Sequence, residues 1–433
     1  MDKMIIIGAG AAGMMTAIHA SEKYDVTIIE KNDKPGKKLY ITGKGRCNLT
    51  NASDEETFLK NVVSNPKFLY SAIYSYNQSA VMADFERWGL RLKTERGNRV
   101  FPESDHSSDV IKTLRNQLEK RGVTILYNTQ VKKLLYDESE DFGFKIKGVE
   151  LSAGKSSAKG SKNSLYADVI VLACGGLSYP VTGSSGDGLR LLKPFGIDVS
   201  SPYPALVPLE TKEDEVSDMM GLSLKNVSVK VTAKKENYPG LKKDKVIYQD
   251  FGEMLFTHFG VSGPLCLSAS SYIGSFLRKY VEIKEYKLDL SIDLKPALTE
   301  DELDKRVLRD FEEFHNRDFQ NSLGKLFPRL LIPVIVKRSG IRPDKKVNEI
   351  SYEERKRLVG IIKDLSFTID GLRDFDEAII TGGGVSVKEL SPQNMELKKV
   401  QGLRVVGEMI DVDALTGGFN LQIAWCTAFM AAE

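Results

Sequence analysis

The 433-residue chain carries 61 Lys and Arg against 59 Asp and Glu, for a formal net charge of +2. So balanced a total disfavours nucleic acid as the main partner. With 42% apolar and 28% charged residues, the chain reads as an ordinary globular protein of two or three domains, neither disordered nor membrane-spanning.

The first apolar run, residues 4–7, is too short for a signal peptide, and no run approaches the ~18 residues of a membrane span. A cytoplasmic location is expected, with no membrane partner. The four cysteines, Cys47, Cys174, Cys266 and Cys426, show no CxxC spacing. Neither a disulfide framework nor a metal site is therefore expected. Cys174, Cys266 and Cys426 sit in apolar runs and read as buried, inert thiols.

Residues 4–7 predict a buried parallel strand. Gly8-Ala9-Gly10-Ala11-Ala12-Gly13 follows, then a helix over residues 14–23 and a second strand over 25–29 that ends on Glu30. Gly8 allows the tight turn, Gly10 lets a pyrophosphate approach the backbone, and Gly13 lets helix and strand pack closely. The helix start attracts phosphate. Glu30 can accept hydrogen bonds from ribose hydroxyls, and its charge opposes a 2′-phosphate. This strand, turn, helix and acid pattern predicts a dinucleotide site, with FAD or NAD favoured over NADP.

Residues 31–51, KNDKPGKKLYITGKGRCNLTN, form a Gly/Lys-rich connection with no apolar period. Another βα unit would suit NAD. This connection suits an extended cofactor that continues past its pyrophosphate. Residues 131–136 and 143–151 predict strands of a β-meander, and polar residues 152–164 a mobile hairpin loop. Residues 165–176 predict one strand ending in small residues and lying against the dinucleotide. Alternating residues over about 201–296, notably 226–233 and 287–293, predict a β-barrel insert.

Capping boxes at Thr299-x-x-Glu302 and Ser351-x-x-Glu354 open a helical insert over about 297–363, broken by Pro328 and Pro333. Residues 364–372 return to the barrel, and 373–433 rejoin the first domain, which begins at 1–200. Thr381-Gly382-Gly383-Gly384-Val385 lacks GxGxxG and reads as a close-packed crossover. Residues 403–406 predict a strand. Gly407-Glu408, Thr416-Gly417-Gly418-Phe419-Asn420 and an apolar helix follow. The start of that helix would stabilise negative charge on reduced flavin.

The segments GAGAAG, KKLYITGKGRCNLTN, RVFPESDHSSDV, ACGGLSYPVTGSSGDG, LFTHFGVSGP and VVGEMIDVDALTGGFNLQIAW together resemble a bacterial FAD-binding flavoprotein family. Its members include aminoacetone oxidase-like proteins and a bile-acid enone reductase (BaiN-like oxidoreductases), within the glutathione-reductase-like FAD superfamily. The resemblance runs through essentially the whole chain. It implies an α/β fold: a glutathione-reductase-type, Rossmann-like FAD domain interrupted by an inserted β-barrel domain and a small helical domain.

The resemblance also implies non-covalent FAD, held by Gly8, Gly10, Ala11, Ala12, Gly13, Glu30, Lys31, Lys38, Thr42, Gly43, Arg46, Cys47 and Asn48. Val131, Ala173, Cys174, Gly175 and Gly176 join them, as do Gly407, Glu408, Asp411, Gly418, Phe419, Asn420 and Leu421. Arg46 would stabilise negative charge on cofactor or substrate. A redox role for Cys47 is disfavoured, because no resolving cysteine neighbours it. His258, in LFTHFGVSGP, is the catalytic candidate, as proton donor or substrate anchor.

The expected function is hydride transfer to or from a small organic substrate where the FAD domain meets the insert. The alternatives are an RNA-modifying flavoprotein, using Lys225, Lys230, Lys234, Lys235, Lys242, Lys243 and Lys245, and a regulatory flavin-binding protein without turnover. Those lysines otherwise read as a solvated face. No second nucleotide unit is evident: Gly183-Ser184-Ser185-Gly186-Asp187-Gly188 has the wrong glycine spacing. NADH or NADPH is thus expected only as a transient visitor, with oxygen or a quinone-like acceptor as substitutes.

Overall fold

The computed structural model describes the chain apart from residues 142, 153–162, 281, 283 and 284. The hairpin loop expected over 152–164 lies almost wholly outside the described residues. The rest divides into two units, Met1–Ala205 with Phe375–Glu433, and Leu206–Asp374.

In the first unit, five parallel strands run in the order Leu403–Val405, Val169–Leu172, Asp2–Ile7, Tyr24–Ile29, Thr124–Leu126. Strands covered on both faces are apolar throughout, and Met4, Ile6, Ile28, Val171 and Leu172 are fully buried. The helices Ala11–Ala20 and Phe419–Met430 contribute Met14, Met15, Ile18, Ile423 and Trp425 to the same core.

Residues 165–176 are not one strand. Ser164–Tyr166 pairs with Gly143–Leu151 in the meander, and Val169–Leu172 enters the parallel sheet. The break falls at Asp168, the one charged residue between them, whose carboxylate accepts the Lys3 N–H at 2.8 Å. Residues 31–51 are not free of regular structure either. A short helix, Lys37–Ile41, and a two-residue strand, Thr50–Asn51, form there.

Residues 201–205, expected to open the barrel, instead belong to the strand Val199–Ala205, which pairs antiparallel with Ile380–Val385 in the first unit. A side chain at Gly382 would meet the Tyr203 ring at 2.2 Å, so that pairing depends on glycine.

In the second unit, six strands close a barrel in the order Leu209–Thr211, Gly260–Ser262, Lys245–Phe256, Ser223–Ala233, Leu288–Asp293, Leu365–Leu372. Val227, Val229 and Val231 alternate inward and are buried. The helix Pro264–Leu277 was not evident from sequence. It is apolar on most faces and so gives no amphipathic period. Both capping boxes form, at the starts of Glu300–Glu313 and Tyr352–Lys363. Pro333 does not break a helix. It sits in the first turn of Ile332–Ser339, where a missing N–H costs nothing.

Candidate functional site

The chain leaves the first strand through Gly8, at φ +109°, whose N–H donates to the Ile29 carbonyl at 2.8 Å. A Cβ on Gly8 would stand 2.5 Å from the Ala173 carbonyl oxygen, and one on Gly13 would stand 1.9 Å from the Gly8 carbonyl oxygen. Neither position tolerates a side chain. Gly10 is different, for no heavy atom lies within 4 Å of where its Cβ would be.

Gly10 caps the helix Ala11–Ala20, and no side chain caps it in turn. The first N–H groups of that helix, on Ala11, Ala12 and Gly13, have no intrahelical acceptor. A bare helix start beside open space is a cradle for a pyrophosphate.

Glu30 is buried at the end of the second strand. One carboxylate oxygen accepts the Ala9 N–H at 2.7 Å, the other the Asn32 N–H at 2.8 Å. The acid therefore ties the glycine turn to the second strand and keeps lone pairs for a ribose. Glu30→Ala should weaken flavin binding by about 1–3 kcal/mol and lower the unfolding midpoint of the apoprotein, since two N–H groups lose their acceptor. Fluorescence titration with FAD checks this, and an unchanged affinity would remove Glu30 from the ribose.

Beside it, Lys31 donates to Ser185 at 2.7 Å and Asp187 at 2.5 Å, and Asn32 donates to the Thr182 carbonyl at 3.1 Å. Burial lowers the Lys31 pKa. The 183–188 segment, unsuited to hold phosphate itself, thus packs against the residues following Glu30.

At the same end of the sheet, Glu408 gathers a polar network. Its carboxylate accepts from Lys38 at 2.6 Å, the Ser178 hydroxyl at 2.7 Å and the Thr381 N–H at 2.8 Å. Lys38 also donates to the Ser178 hydroxyl. The Thr381 hydroxyl accepts the N–H groups of Leu177 and Ser178 at 2.7 and 3.0 Å. Burial pushes the Glu408 carboxyl up, but the Lys38 charge and these donors outweigh it and hold it below the ordinary range. Lys38 and Glu408 were expected site residues. Ser178 and Thr381 were missed, and nothing in their spacing announces that they meet.

The GKGRCN turn is built on left-handed residues, among them Gly43, Lys44 and Cys47. It leads to Asn48, whose side-chain oxygen is buried without a hydrogen-bond partner. Thr42 donates to the Leu39 carbonyl. The last helix is fixed against this segment: Thr50 donates to Gln422 at 2.7 Å, and Trp425 to the Leu49 carbonyl at 2.9 Å. Gly418 begins that helix without a side-chain cap, and a Cβ there would stand 3.0 Å from the orphaned Asn48 oxygen. The N–H groups of Phe419, Asn420 and Leu421 are the helix-start donors. The Asn420 side chain is occupied with the Ala414 N–H and carbonyl, so it shapes the loop.

Arg46 is paired with two carboxylates of its own unit. Its guanidinium donates to Glu95 and Asp105 and lies 4.1 Å from the Phe101 ring centre, and these two carboxylates raise its pKa. Its charge is thus compensated by acids of the chain.

Burial pushes the thiols of Cys47, Cys174, Cys266 and Cys426 up to about 12. None is a thiolate at neutral pH, so none is poised as a nucleophile. Cys174, Gly175, Gly176 and Ala173 follow the strand Val169–Leu172, beside the glycine turn. Gly407 packs close to Ala12, where its added Cβ would approach the Ala12 Cβ to 3.0 Å. Val131 is a buried residue that begins the meander. Asp411 accepts from Ser200 at 2.7 Å. His258 belongs to the other unit. It is exposed in the turn between Lys245–Phe256 and Gly260–Ser262, its ring edge-on to Phe259.

A family model described as the HI0933-like protein Rossmann domain matches residues 2–433. A 3-dehydro-bile acid delta(4,6)-reductase of Clostridium scindens is 29% identical over all of this chain and 98% of its own length. A ribosomal RNA dihydrouridine synthase of Escherichia coli is 28% identical over 99% of this chain and 96% of its own. Among solved structures, a 3-ketosteroid delta1-dehydrogenase from Sterolibacterium denitrificans shares the fold at 14% identity. Its TM-score is 0.51, covering all of this chain and 98% of that one. Family and geometry agree: the chain belongs to the HI0933-like Rossmann family and is a flavin-dependent oxidoreductase.

Proposed function

We propose that the chain holds FAD without a covalent bond and uses it to add a hydride to a carbon–carbon double bond conjugated with a carbonyl in a small organic substrate. The cofactor reading is carried by the glycine turn, where Gly8 and Gly13 are sterically obligatory while Gly10 borders open space at an uncapped helix start. FAD, when bound, supplies the hydride chemistry. Around it, the Ala11, Ala12 and Gly13 N–H groups hold pyrophosphate, Glu30 holds ribose, and the Lys38–Glu408–Ser178 network orients the hydroxyl-bearing linker. The start of the last helix places partial positive charge where a reduced flavin carries negative charge.

The reaction class is supported by two relatives of different substrate. A bile acid delta(4,6)-reductase and a dihydrouridine synthase, by their names, both saturate such a double bond. Within the second unit, Lys234 is paired with Asp244 and Asp289. That removes one of the seven lysines from a phosphate track.

Acid precipitation of the yellow protein should leave FAD in the supernatant, because no His or Cys lies in a recognisable attachment motif. The reduced enzyme, mixed anaerobically with a neutral enone such as trans-4-phenyl-3-buten-2-one, should regain oxidised-flavin absorbance. FMN alone, or flavin retained in the pellet, contradicts the cofactor assignment. Reoxidation by oxygen with none by enones contradicts the reaction class.

A further inference from the structure

We propose that the hairpin Leu92–Glu95 and Arg99–Pro102 carries a binding site for a phosphate or carboxylate of the molecule that exchanges electrons with the flavin. The inference rests on the flavoenzyme reading above and deepens it. Strand pairing sets Lys93 opposite Phe101, Glu95 opposite Arg99, and Asn51 opposite Arg99. Opposed residues share a sheet face. Lys93, Glu95, Asn51, Arg99 and Phe101 therefore lie together. Arg46 covers the same face, its guanidinium 4.1 Å from the centre of the Phe101 ring, while that of Arg99 lies 5.8 Å from it.

The hairpin is fixed in place beside the last helix. The Asn51 amide donates to the Gly97 carbonyl at the hairpin tip at 3.1 Å and to the Gly417 carbonyl at 2.9 Å. The Ala52 N–H donates to the Asn98 carbonyl at 2.7 Å. The tip thus stands next to the loop that leads into the helix start assigned to the flavin.

Charge on this face does not balance. Arg46, Lys93 and Arg99 face Glu95 and Asp105, one cation in surplus, and Arg96 at the hairpin tip adds a second positive charge. The carboxylates are committed elsewhere: both bind Arg46, and Asp105 binds Lys93 at 2.5 Å. Glu95 stands 4.0 Å from the Arg99 guanidinium, which donates through Nε to the Arg96 carbonyl at 3.1 Å. Arg96 is exposed at the tip. Two guanidinium forks on an anchored turn suit an anion that accepts paired hydrogen bonds. The anion is either the pyrophosphate of a nicotinamide dinucleotide or an acidic group on the oxidised substrate.

Calorimetric titration of the FAD-loaded, full-length protein with inorganic pyrophosphate tests this. Saturable binding is expected, weakened about tenfold or more by Arg99→Gln and by Arg96→Gln, and less by Arg99→Lys, which keeps charge but loses the fork. No binding to the unaltered protein, or equal binding by both glutamine variants, overturns the site. Anaerobic stopped-flow then separates the two sources. Slowed reduction by NADH but not by uncharged 1-benzyl-1,4-dihydronicotinamide assigns the site to the reductant. Slowed reoxidation by trans-3-benzoylacrylate but not by trans-4-phenyl-3-buten-2-one assigns it to the substrate. Equal slowing of charged and uncharged reagents would show a general disturbance and overturn the proposal. Protein that takes up no flavin counts against the cofactor reading alone, because the same titration of the flavin-free chain still reports on the hairpin through the loss caused by Arg96→Gln and Arg99→Gln.

Discussion

Gly13→Ala should yield colourless, destabilised protein, whereas Gly10→Ala should yield colourless protein of unchanged apoprotein stability. The added Cβ at Gly13 would meet the Gly8 carbonyl oxygen at 1.9 Å and the Ala173 Cβ at 3.2 Å. The first contact is with backbone, so no rotamer change relieves it. The helix must lift from the strand, at a cost of about 1–3 kcal/mol or more. The N–H groups at the helix start then lose their placement, and FAD affinity should fall by about two orders of magnitude, equivalent to ~2.7 kcal/mol.

At Gly10 the new methyl meets nothing within 4 Å, so the empty protein accepts it. The methyl would occupy the space through which a pyrophosphate approaches the backbone, so affinity alone should collapse. Thermal melts of both apoproteins and FAD titration of each separate the two effects. A yellow Gly10→Ala protein with normal affinity would place the phosphates elsewhere.

The second large effect is expected at Glu408. Glu408→Gln removes the charge that faces Lys38 while keeping the shape. A partly buried ion pair that loses one partner costs up to ~3–5 kcal/mol, and the residual exposure of both groups here puts the loss nearer ~2–3 kcal/mol. The pH dependence has a definite sign. Its folded-state carboxyl lies below the ordinary range, so it contributes stability that is fully present above about pH 4.5. That contribution fades as pH falls from there through the lowered value. Urea unfolding of the unaltered protein should therefore weaken on acidification across this window. The glutamine variant should start weaker at pH 7 and show a flatter slope. Parallel pH profiles would mean that Glu408 contributes no ionised partner. Lys38→Met in the same assay should also lose stability at pH 7, because the carboxylate is left facing Ser178 and the Thr381 N–H alone.

Several features were determined by the sequence on its own because their physics is local. The strand, glycine turn, helix and acid of residues 4–30 specify one another through steric and hydrogen-bonding rules that span a few residues. The two capping boxes are likewise closed within four residues, and both form. Alternation over 226–233 is enough to set one barrel wall, since period 2 fixes which side chains point inward.

Other features depended on distances that no local pattern encodes. Residues 165–172 carry a single charge, Asp168, and the chain changes sheets there, because each half finds a different pairing edge. Residues 201–205 read as the start of the barrel but are captured by a glycine strand more than 170 positions away, where a Cβ on Gly382 would strike the Tyr203 ring. Arg46 reads as a free cation in its turn, and only the fold brings Glu95 and Asp105 onto it. Ser178 and Thr381 join Lys38 and Glu408 for the same reason. A hydrogen-bond network is built from contacts across the sheet, and its members carry no mark in sequence until tertiary structure sets them within 3 Å of one another.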